Sequence, residues 1–228
     1  MSLYIVATPI GNLEDITFRA INTLKSVDLI AAEDTRHSHI LLEHYGIKIP
    51  CTSFHSYTSD AKVKALTEDL KAGKNIAIIT DAGTPGISDP AWMLIKSAVQ
   101  ADVNIVPIPG PAAFLTALMG SGLPMNEFTY LGFVPVKKGR QTLFESIKDE
   151  DKTVVLYESP HRLLKTLDQM KTILGEERVV VVARELTKIH ETFHRGTIAD
   201  LHAHFKKSTI KGEIVILVAP ENFKFTQA

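Results

Sequence analysis

At 228 residues, 45% of them hydrophobic and 22% charged, the chain has apolar mass for one large core or two modest ones. A formal net charge of −1 excludes a global basic field, so a nucleic-acid partner must be met by local patches or by shape. The single cysteine excludes an internal disulfide, and no apolar stretch approaches the roughly 20 residues of a membrane span.

Along the chain, short β-rich runs alternate with helical periods. "LYIVA" (3–7) predicts a strand, and a helix from Thr17 to Ser26 follows. "DLIAA" (28–32) is the next strand, then a helix from Thr35 to Tyr45 closed by Gly46, and a short strand around Thr52 to His55. Cys51, in "IPCTSF", carries no sign of activation and is expected to pack. "SDAKVKALTEDLKAG" puts Val63, Leu66 and Leu70 on one helical face, with Ser59 or Asp60 as N-cap and Gly73 as the stop. "NIAIIT" (75–80), a helix opened by Asp89 and Pro90, "VNIVPI" (103–108) and a helix opened by Pro111 complete a half that reads as a parallel sheet with helical crossovers.

The second half is richer in strands: 129–134, 153–157, 178–184, a run near "ETFHRG", and 213–219, with a helix from His161 to Leu174. A boundary near Leu115 to Gly122 divides the chain into expected domains 1–115 and 116–228. In open α/β sheets ligands sit beyond the carboxyl ends of strands, so the site is expected there, between the halves. The N-terminus has neither a charged n-region nor a long apolar core, so no signal peptide and a cytoplasmic location are expected.

Post-strand loops carry the candidate chemistry. "TDAGTPGISDP" (80–90) matches neither the Walker phosphate motif nor G-x-G-x-x-G, and it contains no Lys or Arg. A phosphate-bearing guest would find its charge unanswered there. Asp81 suits ribose hydroxyls or an amino group, Gly83 permits close backbone approach, and Pro85 fixes the turn. S-adenosylmethionine, with adenosine, a sulfonium and no phosphate, fits that profile. The same loop reads equally well as a tight strand–helix turn with Asp89 as N-cap. In "PIPGPAAF", Gly110, Ala112 and Ala113 leave room for a flat ring or a ribose. "HETFH" (190–194) satisfies H-E-x-x-H, but Thr192 and Phe193 at its centre favour a strand, and no metal is expected. "EDTR" (33–36) follows a strand; its acids suit either helix capping or activation of a hydroxyl.

Taken in order, "TPIGNLEDITFRA", "AEDTR", "TDAGTPGISDPA", "PIPGPAA", "YESPHR" and "ARELTK" resemble the ribosomal RNA small subunit methyltransferase I family of the tetrapyrrole methylase superfamily, from Leu3 to about Pro220. The resemblance implies two α/β domains, the N-terminal sheet mostly parallel and the C-terminal sheet mixed, with the cofactor cleft between them. It implies 2′-O-methylation of a cytidine in 16S rRNA of the small ribosomal subunit, S-adenosylmethionine as donor, and a homodimer. Carried over, Pro9, Gly11, Asp81, Ala82, Gly83, Ile87, Ser88, Ala112, Ala113 and Tyr157 would contact the donor, with Gly212 and Glu213 as a weaker match. "EDTR" and "YESPHR" would face the acceptor. Where members often carry His-x-His-Asn-Glu, this chain has "HSYTSD" (55–60), and with the sequence ending at Ala228 the small helical extension of many members is not expected.

The catalytic expectation falls on Glu33, Asp34 and Glu158 as base or polarising groups, with Arg36 beside them. Lys137, Lys138 and Arg140 of "KKGR", with Arg162 and Arg184, are the expected RNA contacts. Two rivals are a methylase acting on a tetrapyrrole or another small acceptor, and a donor-sensing module without catalysis.

Overall fold

The computed structural model describes residues 1–225, so the last three residues of the expected second domain, 226–228, lie outside the described residues. The chain divides into two compact units, Met1–Ala112 and Ala113–Ala228.

The first unit runs β1 (Ser2–Val6), α1 (Phe18–Ser26), β2 (Leu29–Ala32), α2 (Thr35–His44), β3 (Cys51–Ser53), α3 (Asp60–Lys71), β4 (Ile76–Ile79), α4 (Ala91–Gln100) and β5 (Asn104–Ile108). The strands form one sheet in the order β3-β2-β4-β1-β5, and every pairing is parallel. All five strands therefore end on the same edge. Alternation along each strand sends neighbouring side chains to opposite faces. Val6, Ala32, Ala77 and Ile79 pack with Leu24 of α1 and Leu41 of α2. Leu3, Ala31, Ile76 and Ile78 pack with Leu70 of α3 and Leu94 of α4 on the other face. With both faces covered, β4 reads "IAII" and is buried throughout, as parallel strands require. Thr17 and Ser59 cap α1 and α3 through their side chains. Cys51 departs from expectation: it lies on the edge strand β3 and is exposed, not packed.

The second unit runs α5 (Ala113–Ser121), β6 (Phe128–Phe133), α6 (Arg140–Ser146), β7 (Thr153–Glu158), α7 (Leu163–Leu174), β8 (Val179–Arg184), β9 (Thr192–Thr197), α8 (Ile198–Phe205) and β10 (Ile214–Val218). The sheet order is β6-β7-β10-β8-β9. Only β6 and β7 pair in parallel, while β10 runs antiparallel to β7 and β8, and β8 to β9, so the sheet is mixed. Phe144, Leu156, Leu163, Leu167, Val182, Leu201 and Ile216 fill the core between this sheet and α6, α7 and α8. The helix expected to open at Pro111 begins at Ala113. "HETFH" enters β9 at Thr192, so extended backbone keeps His190 and His194 off any common helical face. Among the described residues no cluster of His, Cys, Asp or Glu is arranged to hold a metal ion, and no helix is long and apolar enough to cross a membrane.

Candidate functional site

In the first unit, the loops leaving β1, β2, β4 and β5 emerge on one edge and are tied to each other. The 80–90 loop after the central strand β4 is the hub. Thr8 and Gly83 exchange backbone hydrogen bonds of 2.9 and 3.0 Å as an isolated antiparallel bridge, and the Thr8 hydroxyl donates to the Thr80 carbonyl at 3.1 Å. Towards the β2 exit, the Thr80 hydroxyl donates to Glu33 Oε2 at 2.5 Å, the Asp81 N–H reaches the same oxygen at 3.3 Å, and Asp34 N–H donates to Asp81 Oδ1 at 3.0 Å. Towards the β5 exit, the Thr84 hydroxyl donates to the Pro111 carbonyl at 3.0 Å. Gly110 lets that exit approach β1 closely: a Cβ there would sit 3.0 Å from Ala7 Cβ. Its small size thus serves loop packing, where room for a ligand was expected.

The loop's shape needs left-handed backbone at Gly83 and Gly86, both with φ near +89°, and also at Ser88, with φ +69°. A non-glycine residue there is strained and persists because its surroundings fix it. Asp89 supplies part of that fixing. Its carboxylate accepts from Gly86 N–H at 2.8 and 2.9 Å and from Ala91 N–H at 2.8 Å. The N-cap position of α4 is held by Pro90, with no side-chain cap. Asp89 is therefore a clasp that closes the loop on itself, not the N-cap expected.

Acids dominate this edge, and their environments differ. Arg36 grips Asp34 with two bonds, Nε to Oδ1 at 3.1 Å and a terminal nitrogen to Oδ2 at 2.7 Å. That pairing holds the Asp34 carboxyl well below the usual range. Asp81 moves the other way: burial raises it, opposed by the Asp34 N–H and aided by the charges of Glu33 and Asp34. Asp89 is also raised, first by burial. Around the hub, Pro9 and Gly83 are buried, Ala112 is 7% exposed, and Gly11, Ala82, Ile87 and Ser88 are exposed. The donor set is a carboxylate, backbone groups and small apolar surfaces, with no Lys or Arg in the loop. It fits a ligand bearing ribose hydroxyls and positive charge and opposes one bearing phosphate.

In the second unit, Glu158 ends β7 and is 2% exposed. Its Oε2 accepts from Arg140 at 3.2 Å and from the Thr166 hydroxyl at 2.5 Å, while its Oε1 meets Arg162 at 2.6 Å and Ser159 N–H at 2.7 Å. Such a carboxylate is saturated, and the structure removes Glu158 from the candidate bases. Arg140 is the second correction. Expected on the surface as a phosphate contact, it is 4% exposed, at the start of α6, and bonds Thr166, Gln169 and the Pro135 carbonyl as well as Glu158. Lys137 and Lys138 are exposed on the turn before it. Arg162 is partly buried and also donates to the Val134 carbonyl at 3.2 Å. Arg184 donates to Thr192 Oγ1 at 3.3 Å and to the Lys211 carbonyl at 3.2 Å. The Tyr157 hydroxyl accepts from Phe114 N–H at 3.2 Å, and burial pushes its pKa far up, so it stays neutral. Ala113 opens α5. Gly212 has φ +88°, and Glu185 Oε1 accepts from Glu213 N–H at 2.9 Å, a bond made within the second unit.

Sequence reasoning missed the threonines that tie the loops, Thr8, Thr80 and Thr84. Their one signal is position: each lies within or beside a post-strand loop, with a hydroxyl able to satisfy a foreign carbonyl or carboxylate.

Residues 2–202 match the model of the Tetrapyrrole (Corrin/Porphyrin) Methylases. The chain is 50% identical, over 95% of its length and 78% of the relative's, to a protein of Synechocystis sp. named "Ribosomal RNA small subunit methyltransferase I". A Haemophilus influenzae protein of the same name is 51% identical over 95% of this chain and 77% of its own. A crystal structure of diphthine synthase superposes with a TM-score of 0.74 at 13% identity, over 96% of this chain and 90% of that one, a likeness of fold alone.

Proposed function

The chain belongs to the tetrapyrrole methylases, and within them to the ribosomal RNA small subunit methyltransferase I family, and on that premise we propose that it transfers a methyl group from S-adenosylmethionine to the ribose 2′-hydroxyl of a cytidine in 16S rRNA. The acceptor is the rRNA within the small ribosomal subunit, and the enzyme works as a cytoplasmic homodimer. The observation that carries this reading is the hub loop: the exits of β1, β2 and β5 are tied to the β4 exit, a segment that holds a carboxylate and no cation.

S-adenosylmethionine supplies a methyl on a positive sulfonium, which leaves as a neutral thioether and needs no acid. Asp81, with the backbone around Gly83 and the apolar side of Ile87, would hold it. The raised Asp81 pKa follows from a desolvated negative site, which a cationic ligand relieves. Pro9, Gly11, Ala82, Ser88, Ala112, Ala113 and Tyr157 complete the proposed donor contacts.

On the acceptor side the ribose hydroxyl must be aligned and must shed a proton. Asp34, paired with Arg36, is a weak base. Glu33 has an oxygen committed to Thr80 and Asp81. Most of the rate therefore comes from alignment of oxygen, methyl and sulfur: as the O–C bond forms and the C–S bond breaks, Asp34 or Glu33 accepts the hydroxyl's hydrogen bond and the proton passes to solvent water. Arg36, 90% exposed at its side chain, can orient a phosphate without leaving Asp34. Lys137, Lys138, Arg162 and Arg184 are the proposed cations on the RNA path.

Small ribosomal subunits from cells lacking ribose methylation, incubated with protein and labelled S-adenosylmethionine, test the proposal. It expects 2′-O-methylcytidine by nucleoside mass spectrometry. Absence of that nucleoside while the donor binds would overturn it.

A further inference from the structure

Strand β6 contains a one-residue irregularity with a consequence for the second unit. Tyr130 pairs with Val155, but Gly132 pairs with Leu156 and Phe133 with Tyr157, so Leu131 is the extra residue of a bulge. Gly132 has φ +68°, which suits glycine and lets the strand shift. Strict alternation would place Tyr130 and Phe133 on opposite faces. The bulge brings them to the same one, and Val134, 1% exposed, enters the helix-side core instead. On the opposite face Tyr157 lies edge-on to Tyr130 at 5.4 Å and to Phe133 at 5.3 Å, and Phe114 leans on Tyr130 at 4.8 Å.

Phe133 is the exposed end of this aromatic row, 58% exposed, while Tyr130 and Tyr157 are only partly so. An exposed phenylalanine re-aimed by a bulge and braced by a neighbouring ring needs a reason. The residues that follow supply one. The chain leaves β6 through Val134 and Pro135 to exposed Val136, Lys137 and Lys138. Segment 128–140 contains no acidic residue. The carbonyls of Val134 and Pro135 are held by Arg162 and Arg140, and both arginines are paired with buried Glu158. An aromatic face followed by two lysines on a fixed strand exit is the arrangement that binds single-stranded nucleic acid: the ring takes a base and the cations take phosphates.

We infer that the end of β6 is a stacking subsite for an unpaired RNA nucleotide, with its base on Phe133 and its phosphates at Lys137 and Lys138. In this account the Glu158–Arg140–Arg162 network is the rigid mount of the subsite. The inference rests on the rRNA reading above. Charge argues for RNA over a second copy of this chain, because the lysines complement phosphate.

The test measures equilibrium binding of small ribosomal subunits, and of a single-stranded RNA 12-mer, to wild type, Phe133→Ala, Phe133→Leu and Phe133→Trp. Loss of one base–aromatic stack should weaken subunit binding roughly tenfold to a hundredfold in Phe133→Ala. Phe133→Trp should bind at least as well as wild type, and Phe133→Leu should resemble Phe133→Ala. The unfolding midpoint should not move, and any change in donor affinity, through the Tyr157 ring that Phe133 braces, should be smaller than the change in subunit binding. Equal affinity of Phe133→Ala and wild type would overturn the inference, as would full retention by Phe133→Leu. So would a wild-type dimer that becomes monomeric in Phe133→Ala by light scattering, which would make the ring a contact between copies. If wild type methylates the subunit while Phe133→Ala binds it unchanged, the subsite fails and the rRNA reading stands. If wild type neither binds nor methylates the subunit, the rRNA reading itself fails.

Discussion

Replacing Glu158 with Leu should destabilise the second unit and should do so through Arg140. The variant removes a carboxylate with four partners, the side chains of Arg140, Arg162 and Thr166 and the N–H of Ser159. Arg162 is 24% exposed at its side chain and can turn to water, but Arg140 is 4% exposed and cannot. A buried charge left without its partner costs about 3–5 kcal/mol, whereas replacing both members by apolar residues of similar volume is often neutral. The double variant Glu158→Leu/Arg140→Met should therefore recover much of the loss, with a coupling of about 2 kcal/mol. Urea unfolding followed by far-UV circular dichroism measures the loss. Trp92, the single tryptophan, sits in α4, so its fluorescence follows the first unit alone. The decisive companion is Glu158→Gln, assayed for methyl transfer to small ribosomal subunits. A variant as stable as wild type whose turnover nevertheless collapses would refute the structural role and restore Glu158 as a base.

Gly83→Ala should cost about 1–2 kcal/mol from its left-handed backbone alone, since the added Cβ meets Ile10 at an ordinary 3.4 Å; donor affinity, by calorimetry, should fall with it. The folded Asp81 carboxyl has a raised pKa, so its contribution to stability is present below the unfolded value and is lost as pH rises through the folded one. Asp81→Asn should accordingly unfold at a higher temperature than wild type at pH 7, with the advantage fading on acidification. Donor affinity of the wild type should fall over the same acid range. Lys137→Ala and Lys138→Ala should each weaken subunit binding across sequences and reduce the slope of log affinity against log salt by about one.

Much of the first unit was legible from residue pattern. Its strands are buried on both faces and read as short apolar runs, and Thr17 and Ser59 signal their helices. The second unit was harder for physical reasons. Helix α6 follows Gly139, in left-handed backbone at φ +85°, so no capping side chain announces it. Helix α8 does carry a capping box, Thr197 with Asp200, but it follows directly on β9 with no intervening turn to set it apart. "KKGR" reads as three equal surface cations, because nothing local separates Arg140 from the lysines. Its partners Glu158 and Thr166 lie 18 and 26 positions away. The bulge at Leu131 was equally hidden, since period-two alternation gives no sign of where it slips. In the hub loop, the absent lysine and the acid were readable. The Asp89 clasp and the threonine ties were not, since they depend on which strand exits become neighbours.

The proposed function stands on the 80–90 loop seating a phosphate-free, positively charged methyl donor against Asp81. Calorimetric titration of wild type and Asp81→Asn with S-adenosylmethionine and with ATP tests it most directly. S-adenosylmethionine should bind wild type, Asp81→Asn should weaken that binding at least about tenfold, and ATP should not compete. ATP binding as tightly as the methyl donor, or a folded Asp81→Asn with undiminished donor affinity, would contradict it.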